Sequence, residues 1–216
     1  FLIVVITGSI VTTALTIYIM KVADTSEYAV DLDALKMSYT TMIYATDKDG
    51  NEFEVKRLFD SANRIWVDIE NVPQHVQDAF VYTEDERFWD HTGVDWKRTV
   101  ASTLTFFTQS SSQGGSTITQ QVIKNLTGNN EFSPERKIKE IFQAIKLNKA
   151  YSKEEVLKVY LNYVFFGNNC YGIAAAADGY FNKTVDELNL GEIATIIAIT
   201  NNPTYYNPRT EKGMEH

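Results

Sequence analysis

The chain is poor in the residues that most often carry covalent cross-links and metals. It has one cysteine, three histidines and four prolines among 216 residues. A lone Cys170 excludes an internal disulfide and a multi-cysteine metal site, and its small and aromatic neighbours suit a plain buried thiol. His91 lies near Asp85 and Glu86, yet these three have no recognisable metal-ligand spacing. No internal repeat or low-complexity tract is present, so the chain does not read as a repeat array. Positive charge is also short: 20 Lys and Arg against 28 Asp and Glu leave a formal charge of −8. That balance argues against a general nucleic-acid binder. From Phe1 to Met20 charge is missing altogether.

What is present is enough apolar material for one domain with a real core, since 44% of residues are hydrophobic and 12% aromatic. The uncharged run Phe1–Met20 spans about 30 Å as a helix, the thickness of a bilayer's hydrocarbon core. It reads as an uncleaved membrane helix; a signal peptide is the competing reading, with an apolar region of only about 7–15 residues. Residues 21–70 read as a linker with short β segments. Thr41–Ala45 and Glu52–Leu58 flank Asp47-Lys48-Asp49-Gly50, a hairpin signal, and Arg64–Ile69 is a candidate third strand. Residues 71–216 then form a mainly helical domain.

Helix starts punctuate that domain. Asn71-Val72-Pro73 precedes Val76, Ala79, Phe80 and Thr83, spaced as one helical face. Asp95 is a candidate N-cap for a helix carrying Trp96, Val100, Leu104 and Phe107, which ends in the Ser/Gly loop Gln109–Gly115. Thr117 with Gln120 makes a capping box, placing Thr117, Gln121 and Lys124 on one face and offering free N–H groups to phosphate. Ser133-Pro134 opens a helix with the apolar stripe Ile138, Ile141, Phe142 and Ile145. Opposite that stripe, Arg136, Lys137 and Glu140 can form an exposed intrahelical ion pair. Ser152 with Glu155 and Asn189 with Glu192 open two more helices, the last an apolar one stopped by Asn201-Asn202-Pro203.

Two charge features stand out. Glu84, Asp85 and Glu86 follow one another where the first domain helix gives way to a turn at His91-Thr92-Gly93. A carboxylate at such a place can face a cleft, although acid runs are more often solvated surface. Between Lys124 and Lys153 the overall charge reverses: Lys124, Arg136, Lys137, Lys139, Lys146, Lys149 and Lys153 face only Glu131, Glu135 and Glu140. That hints at an anion site.

TEDERFWDHTG meets the pattern Glu-Asp-x-x-Phe-x-x-His-x-Gly at Glu84, Asp85, Phe88, His91 and Gly93. GGSTITQQVIKN follows, then Arg136-Lys137-x-x-Glu140, then Tyr160-Leu161-Asn162, then Pro203-x-x-Tyr206-x-Pro208. In this order, over most of Val72–Pro208, the chain resembles the peptidoglycan glycosyltransferases of the class A penicillin-binding proteins and monofunctional enzymes. The resemblance implies a lysozyme-like two-lobed helical domain, a small β segment near the N-terminus and one preceding transmembrane helix. It also implies a single-pass protein of the cell membrane with its catalytic domain on the extracytoplasmic face.

The implied reaction joins lipid II units by inverting β-1,4 transfer and releases polyprenyl diphosphate. Glu84 is implied as general base, with Glu140 as a second catalytic acid residue that orients cations or assists the departing diphosphate. Ser116, Thr117, Gln121, Lys124, Asn125, Arg136, Lys137 and Tyr160 are implied to bind substrate. Many relatives carry tyrosine where this chain has Phe165, and an acid where it has Asn148. The last signature reads as core packing, without chemistry. No cofactor is required, though a divalent cation such as Mg or Mn could bridge diphosphate oxygens without a protein cage. Implied partners are lipid II, the growing glycan strand, the membrane and other cell-wall synthesis proteins. Two carboxylates flanking a sugar bond also describe a glycoside hydrolase, and a catalytically silent membrane-anchored scaffold is the third reading.

Overall fold

The computed structural model describes residues 2–23, 30–32, 41–58, 63–108, 114–128, 131 and 133–210. The chain opens with helix α1 (Leu2–Ala23). Three of its hydroxyls bond back to the helix itself: Thr7, Thr13 and Thr16 each donate to the carbonyl four residues earlier at 2.8 Å. Among the described residues it is the one helix long and apolar enough to cross a membrane. Among the described residues its far end meets the helical body, where α1 touches α5 (Pro134–Ala150) and Val22 is buried.

The expected hairpin forms from β1 (Thr41–Thr46) and β2 (Glu52–Leu58), paired antiparallel with a bulge at Ile43/Tyr44. Asp47 closes the turn by accepting from the Asp49 and Asn51 amides at 2.8 and 2.9 Å. The third strand is shorter than expected. Only β3 (Asn63–Arg64) is a strand, and it pairs in parallel with β4 (Cys170–Tyr171), which the sequence reading missed. Beyond Arg64 a side chain replaces the ladder. Asn162 Oδ1 accepts from Val67 N at 2.9 Å while its Nδ2 donates to Val67 O at 2.8 Å.

The helical body consists of α2 (Gln74–Glu84), α3 (Trp96–Thr108), α4 (Ile118–Thr127), α5, α6 (Lys153–Tyr163), α7 (Ile173–Phe181) and α8 (Leu190–Asn201). The mainly α fold class with its small β portion is therefore observed. Three predicted capping boxes are present in full, at Thr117/Gln120, Ser152/Glu155 and Asn189/Glu192. Ser133 caps α5 by accepting from Arg136 N at 3.1 Å, and Asp95 Oδ1 does the same for Arg98 N in α3 at 3.1 Å. α4 packs against both α5 and α6. Phe80 on α2 fits edge-on to Tyr160 and Phe166, with ring centroids 6.3 and 6.0 Å away.

Several faces are rotated from their expected positions. On α2, Val76, Phe80 and Val81 are buried, whereas Thr83 is exposed. On α3, Trp96 and Val100 are exposed; the side chains of Leu104 and Phe107 and loop residues 109–113 lie outside the described residues. On α5 the deepest positions are Glu140, Ala144 and Leu147, with Ile141 and Ile145 half-buried. The cause is that α5 turns its charged edge inward onto α4, so Glu140 is 4% exposed and its ion pairs are not surface pairs.

Lys153 is a cost built into this body. Among the described residues its buried Nζ has no hydrogen-bond partner and sits 4.4 Å above the Phe88 ring. Burial pulls its pKa down to about 8 against the opposing pull of Asp85 and Asp90. A depressed lysine penalises the folded state below that pH, and the penalty fades as pH rises from about 8 toward 10.5. Lys153→Met is therefore expected to raise the melting temperature at pH 7. In parallel thermal scans that gain should shrink at pH 10; an equal gain at both would refute the assignment.

Candidate active site

The three consecutive acids have three different environments. α2 ends at Glu84 and the chain turns, so successive side chains leave in different directions. Glu86 is exposed. Asp85 is fully buried, and its Oδ2 accepts from Ile118 N at 3.0 Å and from His91 Nε2 at 2.9 Å. Gly93 N donates to His91 Nδ1 at 3.2 Å, which leaves the ring proton on Nε2 facing the carboxylate. The expected phosphate site at the start of α4 is thus altered. Asp85 takes the first amide, and Thr117 Oγ1 takes that of Gln120 at 3.2 Å. Two of the free amides at this helix end are therefore already taken by a carboxylate and a cap.

Glu84 instead reaches a groove of about 1180 Å³. Its Oε2 accepts from Gln121 Nε2 on α4 at 2.9 Å, and its Oε1 accepts from Thr200 Oγ1 on α8 at 2.7 Å. Its backbone carbonyl accepts from Arg98 on α3. Arg98 belongs to a second charged group, in which Arg87 Nε donates to Asp95 Oδ2 at 2.8 Å. Burial pushes the Asp95 carboxyl up, but the Arg98 amide and the Arg87 guanidinium hold it below the usual carboxylate range.

The other carboxylate, Glu140, is bound on both oxygens. Oε1 accepts from Lys137 Nζ and from Gln120 Nε2, the latter at 3.2 Å; Oε2 accepts from Arg136 at 2.5 Å. Lys137 Nζ also donates to Ser116 Oγ at 2.7 Å. Gln120 and Gln121 are neighbours on α4, and each holds one of the two acids. That single turn of helix brings both carboxylates to one groove, because Glu84 and Glu140 both line it.

Of the predicted binding residues, Ser116, Gln121, Lys124 and Asn125 line the groove as well, and Arg136 and Lys137 join it through Glu140 and Ser116. Thr117 does not. It is fully buried and donates to Gly93 O at 2.7 Å. Tyr160 does not either: its hydroxyl is buried, with no partner among the described residues. Burial, reinforced by the charges of Glu84 and Asp85, holds that phenol well above its ordinary pKa. Asn162 is likewise buried and clamps Val67 rather than facing the groove. For Tyr160 the cause is the packing of α6 on α2, which sets its ring 6.3 Å from that of Phe80.

Sequence reasoning missed Thr200 and Arg98. Neither had a local signal: Thr200 ends an apolar helix, and Arg98 is an ordinary first-turn cation. The far groove wall carries Phe165, whose ring lies 4.9 Å from that of Tyr171, with Arg64 stacked over Tyr163 at 4.5 Å. Arg64, Arg87, Lys97, Arg98 and Lys124 line the groove against Glu84, Glu86, Asp95 and Glu140. An acidic chain therefore lines this trench with nearly balanced charge, five cations against four carboxylates. Among the described residues no group of three or more His, Cys, Asp or Glu converges to hold a metal ion.

Comparison with known proteins is consistent along the chain. A family profile described as Transglycosylase matches residues 50–215. Penicillin-binding protein 1A of Clostridium botulinum is 43% identical over 165 residues, covering 74% of this chain and 20% of that protein. Penicillin-binding protein 1A of Clostridium perfringens is 38% identical over 215 residues, covering 97% of this chain and 31% of its own length. The chain thus spans about a fifth to a third of the relatives it matches. A crystal structure of penicillin-binding protein 1A from Haemophilus influenzae aligns over 80% of this chain and 16% of that one, with 24% identity and a TM-score of 0.40.

Proposed function

This chain belongs to the transglycosylase family, and from that membership we propose that it is a peptidoglycan glycosyltransferase that lengthens glycan strands from lipid II. α1 anchors it in the cell membrane, with the groove on the extracytoplasmic side. The 4-hydroxyl of the acceptor sugar attacks the anomeric carbon of the lipid-linked donor. Its proton passes to Glu84, the new C–O bond forms with inversion, and the bond to the diphosphate breaks with its electrons on the leaving oxygen. Lys124, Arg136 and Lys137 meet the charge that gathers there. Glu140 keeps Arg136 and Lys137 in place.

The observation that carries this reading is the joint hold of Gln120 and Gln121 on the two carboxylates of one groove, with Arg136 and Lys137 bound to Glu140. It also weighs against a two-carboxylate hydrolase. Such an enzyme needs a protonated acid at the leaving oxygen, whereas Glu140 already accepts from two cations and an amide. Purified protein given labelled lipid II is expected to make long glycan. Soluble muramic-acid fragments from finished wall would favour the hydrolase instead, and neither product a scaffold. Lys137→Ala should raise the KM for lipid II about tenfold, the scale of one lost charge-assisted hydrogen bond. An unchanged KM and turnover would remove Lys137 from the diphosphate site.

A further inference from the structure

Thr200 lies on the helix whose sequence suggests packing alone, yet its hydroxyl reaches the reacting end of the groove. The hydroxyl has one proton and two acceptors within reach: Glu84 Oε1 at 2.7 Å and the Ile197 carbonyl at 2.7 Å. Only one can receive it at a time. We propose that Thr200 is a positioning residue for Glu84, whose hydroxyl donates to Oε1 before proton transfer and turns to accept from it afterwards. The inference rests on the polymerase reading, in which Glu84 takes the acceptor's proton.

The chemistry follows from what each partner can do. An ionised carboxylate is the stronger acceptor, because a hydrogen bond to a charged oxygen outweighs one to a neutral carbonyl. With Glu84 ionised, the hydroxyl therefore points at Oε1 and, together with Gln121 on Oε2, fixes the plane of the carboxylate. As the sugar O–H bond breaks and its proton arrives at Oε1, that oxygen becomes a donor. The Thr200 hydroxyl then rotates about its C–O bond, keeps its proton while donating a hydrogen bond to the Ile197 carbonyl, and presents a lone pair to Glu84. No heavy atom has to move, and no buried polar group loses its partner in either state. Gln121 cannot do this: its bonded nitrogen can only donate. The two contacts thus have different work, one orienting the base and one following its proton.

The test uses the full chain, labelled lipid II, and the variants Thr200→Val and Thr200→Ser. Valine keeps the shape and removes the hydroxyl; serine keeps the hydroxyl. Thr200→Val is expected to lower kcat about tenfold or more, the usual scale for a lost hydrogen bond to a charged group, with KM unchanged. Thr200→Ser should recover most of that loss, and both variants should melt with the parent. Wild-type turnover in Thr200→Val would overturn the proposal, as would a rise in KM alone. Equal losses in both variants with a lowered melting temperature would mark Thr200 as merely structural and overturn it too. If the parent chain makes no glycan at all, the polymerase reading fails, and this inference fails with it.

Discussion

Glu84→Gln protein is expected to polymerise glycan at least about a hundredfold more slowly than the parent, the lower end of what a positioned general base contributes. Its melting temperature should barely move. The new amide oxygen can still accept from Gln121, and its nitrogen can donate to the Thr200 oxygen, whose own proton then goes to Ile197 O. Every polar group keeps a partner, so the fold has no reason to weaken. The amide cannot take a proton from a sugar hydroxyl, so the chemical step does. A glycan-elongation assay beside a thermal scan separates the two effects, and a near-normal rate would show that some other group is the base.

The neighbouring position should behave in the opposite way. Asp85→Ala is expected to cost about 3 kcal/mol or more, because it leaves the Ile118 amide and the His91 ring N–H buried without an acceptor. For a chain of this size that corresponds to a fall in melting temperature of roughly 6–12 °C. The carboxylate also ties the turn after α2 to the start of α4, so its loss loosens both Glu84 and Gln121. Thermal unfolding measures the effect directly; a melting temperature within error of the parent would mean that water replaces both bonds. Two acids adjacent in sequence are thus expected to separate, Glu84 affecting turnover and Asp85 affecting stability.

Much of this was legible in the residues. The capping boxes at Thr117, Ser152 and Asn189, the Asp47–Gly50 turn and the Arg136/Lys137/Glu140 spacing all reach four residues or fewer along the chain. Local geometry determines such pairings wherever the helix or turn forms. The choice among Glu84, Asp85 and Glu86 was not legible from composition, since a run of acids carries no mark of which one the turn will bury. Tyr160 illustrates the same limit: a polar tip on a large ring suits a groove or a core equally well, and only the packing of α6 on Phe80 sends it inward.

The sequence by itself determined every helix but α7, their starts, the apolar first segment and the family, because these depend on periodicity, short-range hydrogen bonding and the order of motifs. Helix α7 follows Gly172 with no side-chain cap to announce it. The tertiary structure alone decided which groups work together. Asp85 meets Ile118 across 33 residues, Gln121 meets Glu84 across 37, Asn162 meets Val67 across 95 and Thr200 meets Glu84 across 116. No short-range rule links residues so far apart; they are brought together when apolar faces of α2, α4, α6 and α8 bury one another, and that burial sets which polar side chains share the groove.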